Sequence, residues 1–280
     1  MNQIPVELRE KFLKDGYAIL KGAFSSDEIN RFRKLVYAQY EEDERNGLAF
    51  TLSKSSSKAR YAKGDLLSKP KLREILLDER ILGLARRVLG SDRLIYFGDS
   101  SYQIGTGLRG FHRDSIDRTN LNGPDWKSEY TLIRVGLYLQ NHKQYSGGLQ
   151  IKPGSHLKPD GKKTFLDSET GDLATWSLKL LHSGNAVKLK WLPNLPLDPV
   201  LENRIPSFMR MEQEQERVSL FMTFAVASSH VDRYIQEYEM KREDASSHIK
   251  ASRYTKEAIE AASSKGVEVM VIYPEQQLIS

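Results

Sequence analysis

The chain has 280 residues, 39% hydrophobic and 28% charged, with 42 basic against 37 acidic side chains and no cysteine. With a mean hydropathy of −0.52, this composition supports one large domain with a sizeable core and excludes a disordered or fibrous chain. It also excludes disulfides, thiolate zinc sites, iron–sulfur clusters and cysteine nucleophiles, so any metal must rest on His, Asp or Glu.

No apolar run approaches the roughly 18 residues that cross a bilayer. The opening Met1-Asn2-Gln3-Ile4-Pro5 lacks a secretory pattern, so a cytoplasmic protein is expected. Pro5, Leu8, Phe12 and Gly16 predict a first helix, and Tyr17-Ala18-Ile19-Leu20 a strand. Ser25-Ser26-Asp27-Glu28 is a capping box opening a helix with Ile29, Phe32, Leu35 and Val36 on one side. Residues 46–65, polar and serine-rich, read as a loop. A basic stretch holds Lys54, Lys58, Arg60, Lys63, Lys69, Lys71 and Arg73 against Asp65. It reads either as a solvated face or as a dock for an anionic substrate or carrier. Nucleic acid is not expected, because no interleaved aromatics or recognition motif accompany it. Pro70 opens more helix, stopped by Gly90.

After residue 90 short β-type runs follow one another: 94–97, 131–139, 149–151, 173–178 and 218–224, several separated by glycine-bearing turns. Such spacing predicts a sandwich or barrel without βαβ alternation. Helical patterning returns from Val231 to Lys265, and Val267 to Tyr273 is a last apolar run. Neither a repeat nor a linker divides the chain, which gives a single domain over 1–280. Its parts are a helical support over 1–92, a β core over 93–227 and a helical extension over 228–280.

Six histidines are available for a metal. His112-Arg113-Asp114 puts an imidazole and a carboxylate on one side of an extended segment, after the glycine-bearing loop Gly105–Gly110 and well before His182. Two histidines and one carboxylate on a β scaffold occupy one face of an octahedral ion and leave three positions open. That suits non-haem iron(II) oxygen chemistry better than closed structural zinc. Glu169 and Asp172 are alternative carboxylates, and ordinary surface histidines are the competing reading. His230-Val231-Asp232 has the same spacing but follows Ser228-Ser229 and reads better as helix capping.

Phe111-His112-Arg113-Asp114, Gly136-Leu137-Tyr138-Leu139-Gln140 and the run from Ser146-Gly147-Gly148 through Pro153-Gly154-Ser155-His156 resemble the phytanoyl-CoA dioxygenase family of iron(II)/2-oxoglutarate oxygenases. Phe12 to Leu20 is similar to that family's opening, and Gly171 to Trp176 to its approach to the distal ligand. The resemblance covers residues 8–226. It implies a mainly β fold with flanking helices, built on a cupin-like double-stranded β-helix, or jelly roll. It implies Fe(II) on His112, Asp114 and His182, with 2-oxoglutarate and O2 consumed to succinate and CO2 as a substrate C–H bond is oxidised. His156 is a loop residue in this pattern. A carboxylate at Asp114 also separates the chain from halogenating relatives.

Arg217-Val218-Ser219 opens a strand and resembles the family's arginine-x-serine anchor for the far carboxylate of 2-oxoglutarate, a task for a charge-assisted donor. Arg217 lies thirty-five residues after His182, further than the family usually places it. The interval, with Pro193, Pro196, Pro199 and Pro206, reads as an insertion over 188–216. Lys188, Lys190, Arg204 and Arg210 therefore compete with Arg217. Tyr138, Tyr102 and Thr106 are further cosubstrate contacts to consider, with Trp126 and Lys63 weaker ones. Tyr138 shares the alternation of Arg134.

The sequence thus points to a hydroxylase acting on a small-molecule or carrier-linked substrate, possibly anionic. Two alternatives stand beside it: a cupin-like metal enzyme that needs no 2-oxoglutarate, and a non-catalytic jelly-roll binding protein. The insertion reads either as a lid over the substrate or as an oligomer contact. Substrate identity and oligomeric state are not written in the sequence.

Overall fold

The computed structural model describes residues 4–54, 57–107, 110–202 and 204–276. Leu108 and Arg109 of the glycine-bearing loop, and the side chain of Lys54 in the basic stretch, lie outside the described residues.

The chain opens with α1 (Glu7–Asp15), ended by Gly16 at φ 81°, where a Cβ would meet His156 Nδ1 at 2.5 Å. Strand β1 (Tyr17–Leu20) follows, then α2 (Ser26–Arg45), started by the reciprocal Ser25–Glu28 capping box. The stretch expected as loop contains a hairpin, β2 (Ala49–Lys54) and β3 (Ser57–Ala62). It ends one side of the large sheet, where β2 faces solvent and needs no apolar alternation, and Phe50 stacks on Tyr61. The helix expected from Pro70 to Gly90 is two, α3 (Pro70–Leu76) and α4 (Glu79–Leu89), because Asp78 stops one and caps the next by accepting from Arg80 N.

Strands β4 (Leu94–Tyr96), β5 (Ser100–Gly105), β6 (Leu132–Tyr138), β7 (Leu149–Ile151), β8 (Thr164–Leu166), β9 (Leu173–Ser177) and β10 (His182–Ser183) follow. The insertion holds the single turn α5 (Pro199–Glu202). Then come β11 (Val218–Ala225), α6 (Ser229–Tyr234), a π-helical turn over Ile235–Glu239, α7 (Glu243–Lys250), α8 (Lys256–Ser264) and β12 (Val267–Val269). The large sheet runs β1-β9-β6-β11-β5-β3-β2, with β4 joined to β11 and β12 to β4. A small sheet runs β10-β7-β8. This is a mainly antiparallel, cupin-like double-stranded β-helix with flanking helices.

Alternation divides each central strand between two environments. Ile133, Val135 and Leu137 of β6 and Leu220, Met222 and Phe224 of β11 face the N-terminal helices, packing with Phe12, Phe32, Leu72 and Ile81. The opposite faces look inward between the sheets, where Tyr138 and Trp176 meet Leu149, Ile151 and Leu166 of the small sheet.

The C-terminal segment is built into the fold. Ala258 and Ala262 of α8 join the main core, and β12 pairs in parallel with β4, Val267 opposite Leu94. Tyr254 Oη donates to the buried Asp65 at 2.9 Å. The insertion is pinned at its base, where Leu189 pairs with Arg210 and the Glu202 carboxylate accepts from Gln150 Nε2 and Val187 N.

The basic stretch is not a free patch. Lys69 is buried against both oxygens of Asp43 at 2.8 Å, Arg60 pairs with Glu216 at 2.8 Å, Lys71 with Glu42, and Arg73 Nε donates to Leu67 O. The acidic partners of Arg60, Lys69 and Lys71 are remote in sequence, so the fold neutralises those three charges, while Lys58 and Lys63 carry no acidic partner among the described residues.

Candidate metal centre and cosubstrate cleft

The segment before β6 is drawn onto the small sheet by one pair of backbone bonds. His112 N donates to His182 O at 3.0 Å, and His182 N to His112 O at 3.1 Å. Two residues on, Asp114 N donates to Leu178 O at 2.9 Å. The result is a cluster in which one ligand atom from each of His112, Asp114 and His182 lies within 4.8 Å of the others, the one such group among the described residues. His112 Nε2 is 3.6 Å from Asp114 Oδ1, and His182 Nε2 is 3.7 Å from Oδ2.

Each imidazole is oriented from behind. His112 Nδ1 lies 2.9 Å from Gly110 O and His182 Nδ1 3.0 Å from Leu180 O. A carbonyl can only accept, so both Nδ1 atoms carry the proton and both Nε2 lone pairs face the shared space, the arrangement a metal requires. Burial, reinforced by the neighbouring His112, pushes His182 down to about 4 and keeps it neutral. For Asp114 burial favours the neutral acid, but His182 (charged at the acid pH where a carboxyl titrates), Arg134 and the His112 side chain outweigh it and hold the carboxyl below its usual range.

The other candidates are occupied elsewhere. Asp172 accepts from Lys21 Nζ, Gly22 N and Glu169 N, while Glu169 pairs with Lys143. His156 Nε2 bonds Leu13 O. His230 stands at the start of α6, where Ser228 caps by accepting from Val231 N.

Beside the cluster is a cavity of about 420 Å³ lined by Tyr61, Gln103, Gly107, Arg134, Tyr138, Leu149, Trp176, Gly184, Asn185, Arg217, Phe221 and Tyr238 together with the three ligand candidates. Arg217 Nε is held by Gly147 O at 3.0 Å. Its Nη1, Ser219 Oγ and Tyr138 Oη are all buried without a hydrogen-bond partner. The guanidinium carbon sits 5.3 Å from the Tyr138 ring and 5.9 Å from that of Phe221. No carboxylate among the described residues lies within ion-pair distance of it. A buried cation with free donors calls for an anion. The residues present therefore fit both groups: a divalent ion on two imidazoles and a carboxylate, and an anionic cosubstrate at Arg217 with Tyr138 beside it, whereas Ser219 is buried but does not line the cavity.

The remaining expectations divide. Tyr102 points to the helical side, where its hydroxyl donates to Asp43 at 2.6 Å. Thr106 follows β5 and its Oγ1 accepts from Lys58 N. Trp126 packs beneath Arg113 and Lys179 with Nε1 on Asp117 O. Lys63 is exposed. None of these four lines the cavity. Among the rivals to Arg217, Lys188 pairs with Asp167, Arg210 Nε donates to Ile205 O, and Lys190 and Arg204 are exposed. The shared parity of Arg134 and Tyr138 means that both face the cavity. Phe221 and Trp176 were within reach of the same alternation. Tyr61, Gln103, Asn185 and Tyr238 came from a hairpin, a polar strand, a turn and the C-terminal segment, with no local signal to mark them.

The fold is that of the non-haem iron(II)/2-oxoglutarate oxygenases, and two imidazoles with one carboxylate form an open three-ligand set of the kind a non-haem metal takes. A family model described as phytanoyl-CoA dioxygenase (PhyH) matches residues 12–188, and the chain belongs to that family. Among curated relatives, an ectoine dioxygenase of Stutzerimonas stutzeri is 25% identical over 155 residues, 55% of this chain and 51% of that protein. Another, of Streptomyces avermitilis, is 33% identical over 93 residues, 33% of this chain and 29% of that protein. The match spans about half the length of the first relative or less. Among solved structures, the non-haem α-ketoglutarate-dependent epimerase SnoN from nogalamycin biosynthesis is similar with a TM-score of 0.55 at 15% identity, covering 79% of this chain and 80% of that one. HygX from Streptomyces hygroscopicus, with nickel and 2-oxoglutarate bound, gives 0.55 at 15% identity over 79% and 87%. No helix among the described residues is long and apolar enough to cross a membrane.

Proposed function

We propose that this chain is an iron(II)/2-oxoglutarate-dependent hydroxylase of a small polar molecule, acting as a single domain over its length. One observation carries the reading. The metal-type cluster opens onto a cavity lined by the buried Arg217 and Tyr138, and no carboxylate among the described residues pairs with that guanidinium. A cupin-like enzyme that needs no 2-oxoglutarate does not require such a cation beside its metal, and a binding protein would hold the anion without turning it over.

In this reading His112, Asp114 and His182 hold iron(II), which supplies O2 activation while 2-oxoglutarate, O2 and R–H become succinate, CO2 and R–OH. Arg217 binds the far carboxylate, and Gly147 O orients the guanidinium for it. Trp176, Phe221 and Leu149 wall the cosubstrate from water. The substrate approaches from an adjoining cleft of about 670 Å³, lined by His112, Asp114, Ile116, Arg118, Glu237, Tyr238 and Arg242. Both charge signs occur there, which suits a small charged or zwitterionic molecule better than a long acyl chain. The name of the curated relatives gives ectoine as their substrate; partial coverage leaves only the class, a small polar molecule, to this chain.

The test is succinate formation from the purified protein with Fe(II), ascorbate and 2-oxoglutarate. Succinate that disappears when iron or Asp114 is removed is the expected result. Metal binding that 2-oxoglutarate neither tightens nor turns over would overturn the reading in favour of a different metal enzyme.

A further inference from the structure

Asp114 needs a second hold. Its backbone is fixed by Leu178 O, but both neighbouring imidazoles carry their proton on Nδ1 and present only lone pairs to its carboxylate. Among the described residues, the side-chain donor within reach is Arg134, whose Nη2 lies 3.5 Å from Oδ2. Arg134 is itself held: Nη1 lies 3.1 Å from Asp99 Oδ1, and its side chain is only 13% exposed. Asp99 in turn accepts from Thr223 Oγ1 at 2.7 Å and Tyr234 Oη at 3.4 Å, while its carbonyl accepts from Thr223 N at 2.9 Å.

We propose that Arg134 is a positioning residue for the metal ligand Asp114, clamped in place by Asp99. This rests on the iron(II) reading of the site. The guanidinium holds Oδ2 of Asp114 and so limits the rotation of the carboxylate that would serve as a metal ligand. The charges agree with that role. One guanidinium between two carboxylates leaves the cluster one negative charge in excess, an attraction for a dication, whereas Asp99 and Asp114 without it would repel across the site. A planar fork can bridge two carboxylates in a fixed geometry, and a lysine cannot. The clamp spans the sheet: Asp99 precedes β5, Arg134 lies on β6 and Thr223 on β11, with Tyr234 from the C-terminal segment closing it.

The experiment is a Co(II) titration of wild type, Arg134→Lys, Thr223→Val and Asp114→Ala, read by affinity and by the visible d–d spectrum. Arg134→Lys keeps a cation for Asp99 and should fold, with the melting temperature of the metal-free protein near wild type. It should weaken Co(II) binding by roughly 10- to 100-fold and alter the d–d bands. Thr223→Val removes one hold on Asp99 while keeping the Arg134 side chain, its cross-strand neighbour, and should move both readouts in the same direction by less. Wild-type affinity and spectrum in Arg134→Lys overturn the proposal. If that variant does not fold, the same two readouts on Thr223→Val decide it, an unchanged affinity and spectrum overturning it. A wild-type protein that binds Co(II) no better than Asp114→Ala overturns the metal reading and this proposal together. Strong wild-type binding matched by Arg134→Lys overturns this proposal alone.

Discussion

His112 and His182, seventy residues apart, exchange both of their backbone hydrogen bonds, at 3.0 and 3.1 Å. The separation of the two imidazoles, with ring centroids 4.3 Å apart, is therefore set by a β-bridge and not by side-chain contacts. Asp114 is placed by the next backbone bond along, to Leu178 O. The ligand geometry thus pre-exists the ion, and removing one ligand should leave the scaffold standing.

Asp114→Ala is the corresponding test. It should abolish iron-dependent succinate formation while the metal-free protein melts within a few degrees of wild type. Substantial turnover in that variant would sink the ligand assignment. Collapse of the fold would show that the cluster is structural.

Arg217→Ala should raise the KM for 2-oxoglutarate steeply. Loss of a charge-assisted contact costs about 2–4 kcal/mol, or roughly 30- to 1000-fold in binding. Arg204→Ala and Arg210→Ala should leave that constant alone, since Arg204 is exposed and Arg210 serves Ile205 O within the insertion. Steady-state kinetics at saturating O2 separates the three. A larger effect from either rival would relocate the anchor.

Gly136 faces the cavity, and a Cβ there would lie 2.8 Å from Cζ3 and Cη2 of Trp176. The indole has no easy retreat, because it packs against Phe221 and the ring of His182. Gly136→Ala should destabilise by about 1–3 kcal/mol, the range of overpacked cores, measured by urea unfolding. Combining it with Trp176→Phe should recover part of the loss. A neutral Gly136→Ala would mean that the ring can move freely.

Acid should weaken the fold through its buried histidines. Burial, with Arg217 and Lys188 nearby, lowers His142 well below the usual imidazole range, and burial is also the largest cause of the lowered values at His156 and His248. Unfolded, each titrates near about 6.5. Below that pH the unfolded chain binds more protons than the folded one, so stability present above about 6.5 declines as pH falls toward the folded values. The melting temperature of the metal-free protein should drop between about pH 6.5 and 5. His142→Gln, which keeps an acceptor for Gln140 Nε2, should flatten part of that slope. A melting temperature that holds or rises on acidification contradicts the assignment.

What the sequence made legible was what alternation and short-range motifs encode. Period two puts Arg217 and Ser219 on one side at the start of β11 and Arg134 with Tyr138 on one side of β6, and of these Arg217, Arg134 and Tyr138 line the cavity together. The capping box at Ser25 and the spacing of His112 and Asp114 are local as well. Strands β2, β3 and β5 escaped because their ladders are backbone bonds and their side chains are largely polar, so Tyr61 and Gln103 were missed with them. Charge counting along residues 54–73 saw the lysines and arginines but not Asp43, Glu42 and Glu216, which reach them only in the folded chain. Tyr238 enters the cavity from the π-helical turn after α6, stacked on Tyr234, a placement that no window of sequence marks.

The insertion gives the last prediction. Trp191, Val200 and Phe208 are 67%, 69% and 66% exposed, and no described residue of 188–216 lines the metal cavity or the cleft beside it. Trp191→Ser and Phe208→Ser should therefore leave the 2-oxoglutarate KM and the ratio of product to succinate unchanged, whereas a lid would uncouple the two. Glu202 within the same segment is buried, and its carboxylate satisfies Val187 N and Gln150 Nε2 at the edge of the small sheet. Glu202→Ala leaves buried donors without an acceptor and should cost about 1–3 kcal/mol in urea unfolding. The two outcomes together define the segment as a brace on the small sheet with an exposed apolar outer face. Uncoupled turnover in the surface variants, with Glu202→Ala neutral, would restore the lid.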